Sequence, residues 1–163
     1  MKHEESESLL SDSQKGKVIE HLIAAACVLQ SSGLLRISVP LVDDEGVDLV
    51  VTHKITDRTI LLQIKSRFTL SKRKAYRAQV RRVSLRPAPN RFLLFVYYDR
   101  MQVRLGETIW LVPTPEFYKL TGNQNKNRPH YVFCSFFTSK KDMWKPYQIS
   151  TTELAKSLIQ LLS

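Results

Sequence analysis

The stretch Gly46–Lys65, GVDLVVTHKITDRTILLQIK, constrains the fold of this chain more than any other. Val47, Leu49 and Val51 alternate with Asp48 and Val50, and Ile60, Leu62 and Ile64 alternate with Leu61, Gln63 and Lys65. Thr56-Asp57-Arg58-Thr59 supplies polar turn residues between them. A period of two on either side of such a turn predicts a β-hairpin. Residues two apart in a strand share a face, so Gln63 and Lys65 point the same way out of an otherwise apolar strand. Asp48 interrupts its own strand in the same manner. An acid, an amide and an ammonium aimed at one place are expensive inside a core unless paired. The ordinary alternative is a solvated face or a rim salt bridge, and the segments flanking the hairpin bear on the choice.

The first flanking feature is charge. The chain carries 25 Lys+Arg against 15 Asp+Glu, a formal excess of ten positive charges. From Ile64 to Arg91 there are ten basic residues and no acid: Lys65, Arg67, Lys72, Arg73, Lys74, Arg77, Arg81, Arg82, Arg86 and Arg91. That segment alone carries an excess equal to the net charge of the chain. Lys72–Val83 is expected to form a helix after a Ser71 cap, with Ala75, Ala78 and Val83 packing inward. Its cationic face would suit phosphate contacts, which set affinity without reading sequence. Solubilising surfaces normally mix both signs of charge, so a polyanionic partner is the expectation, nucleic acid foremost, with DNA and RNA both open on charge alone. A membrane is not expected as a partner: no apolar run approaches spanning length, Leu22–Leu29 and Phe92–Tyr98 being the longest.

At 163 residues, with 43% hydrophobic and 25% charged residues, the composition is that of a globular protein with room for one substantial core. Residues 1–10 (MKHEESESLL) read as a mobile acidic tail, and 11–163 as a single domain with a core over 14–98 and a C-terminal extension over 99–163. Cys27 and Cys134 each sit in an apolar run without CxxC spacing. Both are expected to be buried thiols in a reducing compartment, which with the acidic, serine-rich start suggests the cytoplasm.

Along the chain, Ser11, Asp12 or Ser13 can cap a helix over Gln14–Gln30, with Val18, Ile19, Leu22, Ile23, Ala26, Cys27 and Leu29 at helical spacing. Its C-terminal half is apolar nearly all round and is expected to be buried. Glu20 lies one turn after Gly16, on the same helical face, where Gly16 would let another element approach; an exposed helical glutamate is the other reading. His21 is expected to be partly exposed. Leu35–Val42 reads as a strand ending in Asp43-Asp44-Glu45-Gly46, an acidic turn that either binds a divalent ion or is solvated. After Arg86–Asn90, Phe92–Tyr98 has the pattern of a buried central strand. The extension offers a strand at Thr108–Val112, a short helix from Pro113 through Leu120, a polar loop at Gly122–Pro129 and a strand at Tyr131–Phe137. A loop holding Trp144 follows, then a closing helix through Leu162 with Ser150 and Glu153 as its capping box. Trp110 and Trp144 are assigned to packing.

The order helix, three strands, basic helix, strand resembles the αβββαβ core of the PD-(D/E)XK nuclease superfamily, the restriction-endonuclease-like fold. The resemblance covers about Gln14–Tyr98. It is carried by Gly16-Lys17-Val18-Ile19-Glu20 on the helix, Gly46-Val47-Asp48-Leu49 on the second strand and Gln63-Ile64-Lys65-Ser66 on the third. The Gln-x-Lys form is similar to the Mrr-like branch and to a set of small bacterial domains with a GxxxE helix, a G-x-D-L strand and a Q-x-K-S strand. What this implies is an α/β fold with a central mixed sheet flanked by helices, and strand and helix additions at the C-terminus.

The resemblance also implies a divalent-metal-dependent endonuclease that hydrolyses DNA phosphodiester bonds, in restriction, repair or a mobile element. The same fold without catalysis would be a nucleic-acid-binding protein. By resemblance, Asp48 is the principal ligand of Mg²⁺ or Mn²⁺ and Gln63 a second through its amide oxygen. Lys65 orients the attacking water or supports developing charge, and Glu20 assists the metal. Arg67, Lys72, Arg73, Lys74, Arg77, Arg81 and Arg82 would hold the phosphate backbone. Gln63 departs from the superfamily pattern, where Asp or Glu usually stands, and a neutral amide contributes less to cation affinity. A homodimer, with the C-terminal elements as its interface, would fit cutting of both strands.

Overall fold

The computed structural model describes residues 9–42, 45–124 and 126–163. Residues 1–8 of the expected tail, and Asp43 and Asp44 of the acidic turn, lie outside the described residues. The elements are α1 (Asp12–Gln30), β1 (Leu35–Ser38), β2 (Leu49–His53), β3 (Thr59–Arg67), β4 (Ala75–Arg81), β5 (Arg91–Asp99), β6 (Arg104–Pro113), α2 (Thr114–Thr121), β7 (His130–Phe136), β8 (Gln148–Ser150) and α3 (Leu154–Leu162).

Six strands form a mixed sheet in the order β1-β2-β3-β5-β6-β8, and β4 and β7 form a separate antiparallel pair. Within the large sheet β3 and β5 run parallel and the other neighbours antiparallel. A parallel pair requires a crossover, and here the crossover carries β4. The central mixed sheet flanked by helices agrees with the expectation. The segment predicted as a basic helix does not. Lys72–Val83 forms a tight turn, the strand Ala75–Arg81 and the start of a short 3₁₀ turn at Arg82–Ser84. Tyr76, Ala78 and Val80 point inward while Arg77, Gln79 and Arg81 are exposed, a strict period of two.

The two faces of the large sheet carry different cores. Leu49, Val51, Ile60, Leu62, Ile64, Phe92, Leu94 and Val96 pack against Ile19, Ile23 and Cys27 of α1 and Leu154, Ala155, Leu158 and Leu162 of α3. On the other face Leu93, Phe95, Trp110 and Val112 meet Tyr76, Ala78 and Val80 of β4, Tyr131 and Phe133 of β7, Phe117 of α2 and Trp144. Trp110 and Trp144 are thus core residues, as expected.

Ser11 caps α1 in a reciprocal box with Gln14, each backbone N–H donating to the other's side-chain oxygen. The helix is half-buried rather than enclosed. Val18, Leu22, Val28 and Leu29 are exposed, because the buried line of the helix runs through Ile19, Glu20, Ile23 and Cys27. Burial pushes the Cys27 thiol up to about 12, which makes it inert at neutral pH. Cys134 is exposed, contrary to expectation, because Tyr131, Phe133 and Ser135 take the inward positions of β7. Strand β1 stops at Ser38, short of the predicted Val42. The closing helix begins after a 3₁₀ turn at Thr151–Glu153, and Ser150 caps that turn through the Thr152 N–H.

Candidate active site

Strand β3 is nine residues long, yet β2 pairs with it only from Leu49↔Leu62 to Thr52↔Thr59. The chain before Leu49 turns away from β3 through Gly46, which has a φ of +69°. From Gln63 onward, β3 therefore keeps β5 on one side and loses its β2 partner on the other. Asp48 sits at the mouth of this opening. Its N–H donates to the Leu62 carbonyl at 2.8 Å, and its Oδ2 accepts the Ile64 N–H at 2.5 Å. The carboxylate thus takes the place of the next rung of the ladder, and two bonds fix it beside Gln63-Ile64-Lys65.

Register settles which face these side chains use. Leu49, Leu62 and Ile64 belong to the aliphatic face, so by alternation Asp48, Gln63 and Lys65 fall on the other face, the one the β4–β7 pair covers. Asp48 and Gln63 are buried, each 9% exposed, and Lys65 is half-buried. The Gln63 amide nitrogen donates to Ser84 Oγ at 3.3 Å, and that hydroxyl donates to the Arg81 carbonyl. With its nitrogen committed, Gln63 Oε1 is the acceptor left to serve as a ligand. Gly46 is packed against this amide: a Cβ there would lie 2.8 Å from Gln63 Nε2. Tyr76 Oη donates to the Lys65 carbonyl, tying β4 to the same strand. Burial raises the Tyr76 phenol well above its usual range, which keeps it a donor.

Glu45 braces the approach to Asp48. Its carboxylate is paired with Arg91, at the start of β5, and with Arg86 at 3.0 Å. The Arg91 hydrogen bond above all, with the charges of Arg86 and Arg91, holds its pKa below the usual carboxylate range.

Glu20 occupies the inner side of α1, 8% exposed, where Lys17 Nζ meets its Oε2 at 2.7 Å. The N-terminal turn of α1 lies beside the end of β3, since Asp12 and Lys15 line a cleft with Ser66 and Arg67. Glu20 makes no hydrogen bond to Asp48, Gln63 or Lys65 among the described residues. Among the described residues nothing lies within 4 Å of a Cβ placed at Gly16, so no close approach of another element is seen there. His21 is exposed.

Among the described residues no three His, Cys, Asp or Glu side chains gather into a metal site. The oxygen set that is present still fits a hard cation. Mg²⁺ and Mn²⁺ take oxygen ligands, and Mg²⁺ keeps several waters, so one or two carboxylates with an amide oxygen are an adequate set.

The basic residues divide into two groups. Arg67 Nε donates to the Arg77 carbonyl at 2.8 Å. Arg82 donates to the Arg128 and Gln124 carbonyls and stacks over the Tyr131 ring at 4.0 Å. Both are braces as well as cations. Lys72, Arg73, Lys74, Arg77 and Arg81 are exposed and make no ion pair among the described residues. Lys126 and Arg128 extend this surface and were missed by sequence reasoning: with Arg81, Arg82 and His130 they line an open basin. Their only signal was two cations inside the polar GNQNKNRP loop.

No known protein family matches the sequence, and no curated protein does. Among solved structures, the fold is similar to that of a bacterial homing endonuclease, I-Ssp6803I, with a TM-score of 0.58. The match covers 93% of this chain and 91% of that one, at 19% identity. The chain therefore has a nuclease-like mixed α/β fold along nearly its whole length. Among the described residues no helix is long and apolar enough to cross a membrane.

Proposed function

We propose that this protein is a divalent-metal-dependent DNA endonuclease of the PD-(D/E)XK type, with its centre at Asp48, Gln63 and Lys65. One observation carries the reading: β2 leaves β3 at the position where Asp48 replaces a backbone rung, and a buried carboxylate, a clamped amide and a half-buried ammonium share the face beyond it. A core that only needed packing would not keep that combination. The fold shared with a homing endonuclease supports the same reading, and it favours a mobile-element context over the others.

Asp48 and Gln63 Oε1 would hold the cation, which when bound supplies charge neutralisation at the scissile phosphate and a more acidic water. Asp48 is held in place for this role, because the Ile64 N–H donates to its Oδ2. Lys65 would place its ammonium beside the attacked phosphate, held in line by the Tyr76 bond to its own carbonyl. Glu20, restrained by Lys17, would orient water on the α1 side. The exposed cations from Lys72 to Arg81 would bind the phosphate backbone in a salt-dependent way.

The test is incubation of the purified protein with plasmid and linear duplex DNA in Mg²⁺ or Mn²⁺, beside Asp48→Ala and Lys65→Ala. Cleavage that stops with EDTA and falls about 1,000-fold or more in Asp48→Ala is the expected outcome, since several kcal/mol of charge stabilisation is removed. Cleavage unaffected by both substitutions would place the centre elsewhere. A specific observation favours a second reading, a DNA-binding protein on the same fold that does not cut: Gln63 is neutral, and among the described residues no three His, Cys, Asp or Glu side chains gather around a common point. Equal binding by all three proteins with no cleavage is its outcome.

A further inference from the structure

The β4–β7 pair is an antiparallel ribbon with only one face in the core. Tyr76, Ala78, Val80, Tyr131, Phe133 and Ser135 point inward and are buried. The outward face is set by register: Arg77 opposite Cys134, Gln79 opposite Val132, and Arg81 opposite His130. Arg77, Gln79, Arg81 and Cys134 are exposed, and Val132 and His130 are half-buried. Each strand has seven residues, so the ribbon runs for roughly 23 Å at about 3.3 Å per residue. Two strands about 4.8 Å apart present a face that fits the roughly 12 Å major groove of B-form DNA.

The chemistry of that face suits base edges as well as phosphates. An Arg can bond guanine O6 and N7 as a fork, a Gln can bond adenine N6 and N7, and an apolar side chain such as Val can touch the thymine methyl. Three such polar groups stand at every second residue of one strand, Arg77-x-Gln79-x-Arg81, with no acid on the face. Cations frame both ends: Lys72, Arg73 and Lys74 in the turn that enters β4, and Lys126 and Arg128 in the basin that Arg81 and His130 also line. A merely solvated strand would not need an uncharged, bidentate-capable Gln between two arginines that form no ion pair among the described residues.

Resting on the reading of this protein as one that acts on DNA, we infer that the outward face of β4–β7 is its sequence-reading element, docking in the major groove of duplex DNA. Gln79 is the principal base reader, Arg77 and Arg81 flank it, and the end cations grip phosphates on either side. A-form RNA is excluded as the specific ligand, because its major groove is too deep and narrow for a ribbon.

The experiment is selection of bound sequences from a library of randomised duplexes, in EDTA so that binding is read without cleavage. The full-length wild type is compared with Gln79→Ala and with Arg77→Ala. Wild type should enrich a motif, and Gln79→Ala should lose preference at one base pair by about 10- to 100-fold while the rest of the motif survives. Arg77→Ala should relax a neighbouring position and lower the salt dependence by about one phosphate-equivalent at most. An unchanged motif in both variants overturns the inference, as does a wild type with no base preference or with equal affinity for duplex RNA. The nuclease reading fails separately, through absence of metal-dependent cleavage, which these binding measurements do not touch. Both substitutions are at exposed positions, and matching melting curves confirm that the motif reports contacts rather than folding.

Discussion

The two faces of the central sheet are covered in different ways. One is aliphatic and lies under α1 and α3, which bring Ile19, Ile23, Leu154 and Leu158 down onto Leu49, Leu62, Leu94 and Val96. The other is aromatic and lies under a thin ribbon and one short helix, where Tyr76, Phe95, Trp110, Phe117, Phe133 and Trp144 fill the space. A helix brings a thick layer with many side chains, so branched aliphatics suffice beneath it. A two-stranded ribbon contributes one inward side chain in two, and large rings are needed to span the roughly 10 Å between packed sheets. Asp48, Gln63 and Lys65 stand on the aromatic face, at its margin, where β3 has lost its β2 neighbour.

That contrast can be broken at Phe133. Its ring stacks on Phe95 at 3.8 Å between centroids and also meets Tyr76, Trp110 and Trp144. Phe133→Ala should lose about 3–5 kcal/mol of stability, as large cavities in aromatic cores do. Ile23→Val on the helical face should lose only about 0.5–1.5 kcal/mol, because one methyl goes from a layer with several neighbours. Urea unfolding of both variants measures the difference. Similar losses would mean that the aromatic face does not depend on its large rings.

A smaller effect is expected at Gly46, where the two requirements of the site meet. The residue adopts the left-handed region, and a Cβ would lie 2.8 Å from Gln63 Nε2 and 3.0 Å from Ser84 Cβ. Gly46→Ala should cost about 1–3 kcal/mol through backbone strain and a displaced amide. If Gln63 is a ligand, the same variant should need more Mg²⁺ for half-maximal cleavage. An asparagine in place of Gly46 would keep φ positive more easily while still clashing with Gln63. A Gly46→Asn variant therefore separates strain, read by melting, from displacement of the amide, read by metal dependence.

The aliphatic side and the hairpin were legible in the sequence because their signals are local. Leu49 to Ile64 alternates within one continuous stretch, and Ser11 with Gln14 marks the start of α1 next to it. The placement of Asp48, Gln63 and Lys65 on a common face also followed from alternation. The ribbon was not legible in the same way. Ala75 and Ala78 are three apart, Lys and Arg are good helix formers, and the run of charge masks the period of two in Tyr76, Ala78 and Val80. The partner that makes this segment a strand, β7, pairs Arg81 with His130, far along the chain, and local propensity does not register it. The exposure of Cys134 and of Leu29 failed for a related reason. Each lies in an apolar run, and only the packing partner shows which side of the run is covered.

The smallest expected effect tests how the margin of the aromatic face is held. The Glu45 side chain is open to solvent, and its pairing with Arg91 and Arg86 keeps its carboxyl pKa below the ordinary range. A carboxylate whose folded pKa is depressed adds stability above its unfolded pKa, and that contribution fades as pH falls through the folded value. The pairing should therefore be intact at neutral pH and disappear under acid conditions below the usual carboxylate range. Glu45→Gln should lower the melting temperature slightly at about pH 7 and hardly at all at about pH 3, since the pair is solvent-screened. The variant and wild-type curves should converge on acidification. Because Glu45 precedes Gly46 in the segment that delivers Asp48, cleavage by Glu45→Gln should fall more than its melting temperature suggests. Equal melting differences at both pH values would mean that the ion pair contributes nothing, and that Gly46 alone sets the path of the chain away from β3.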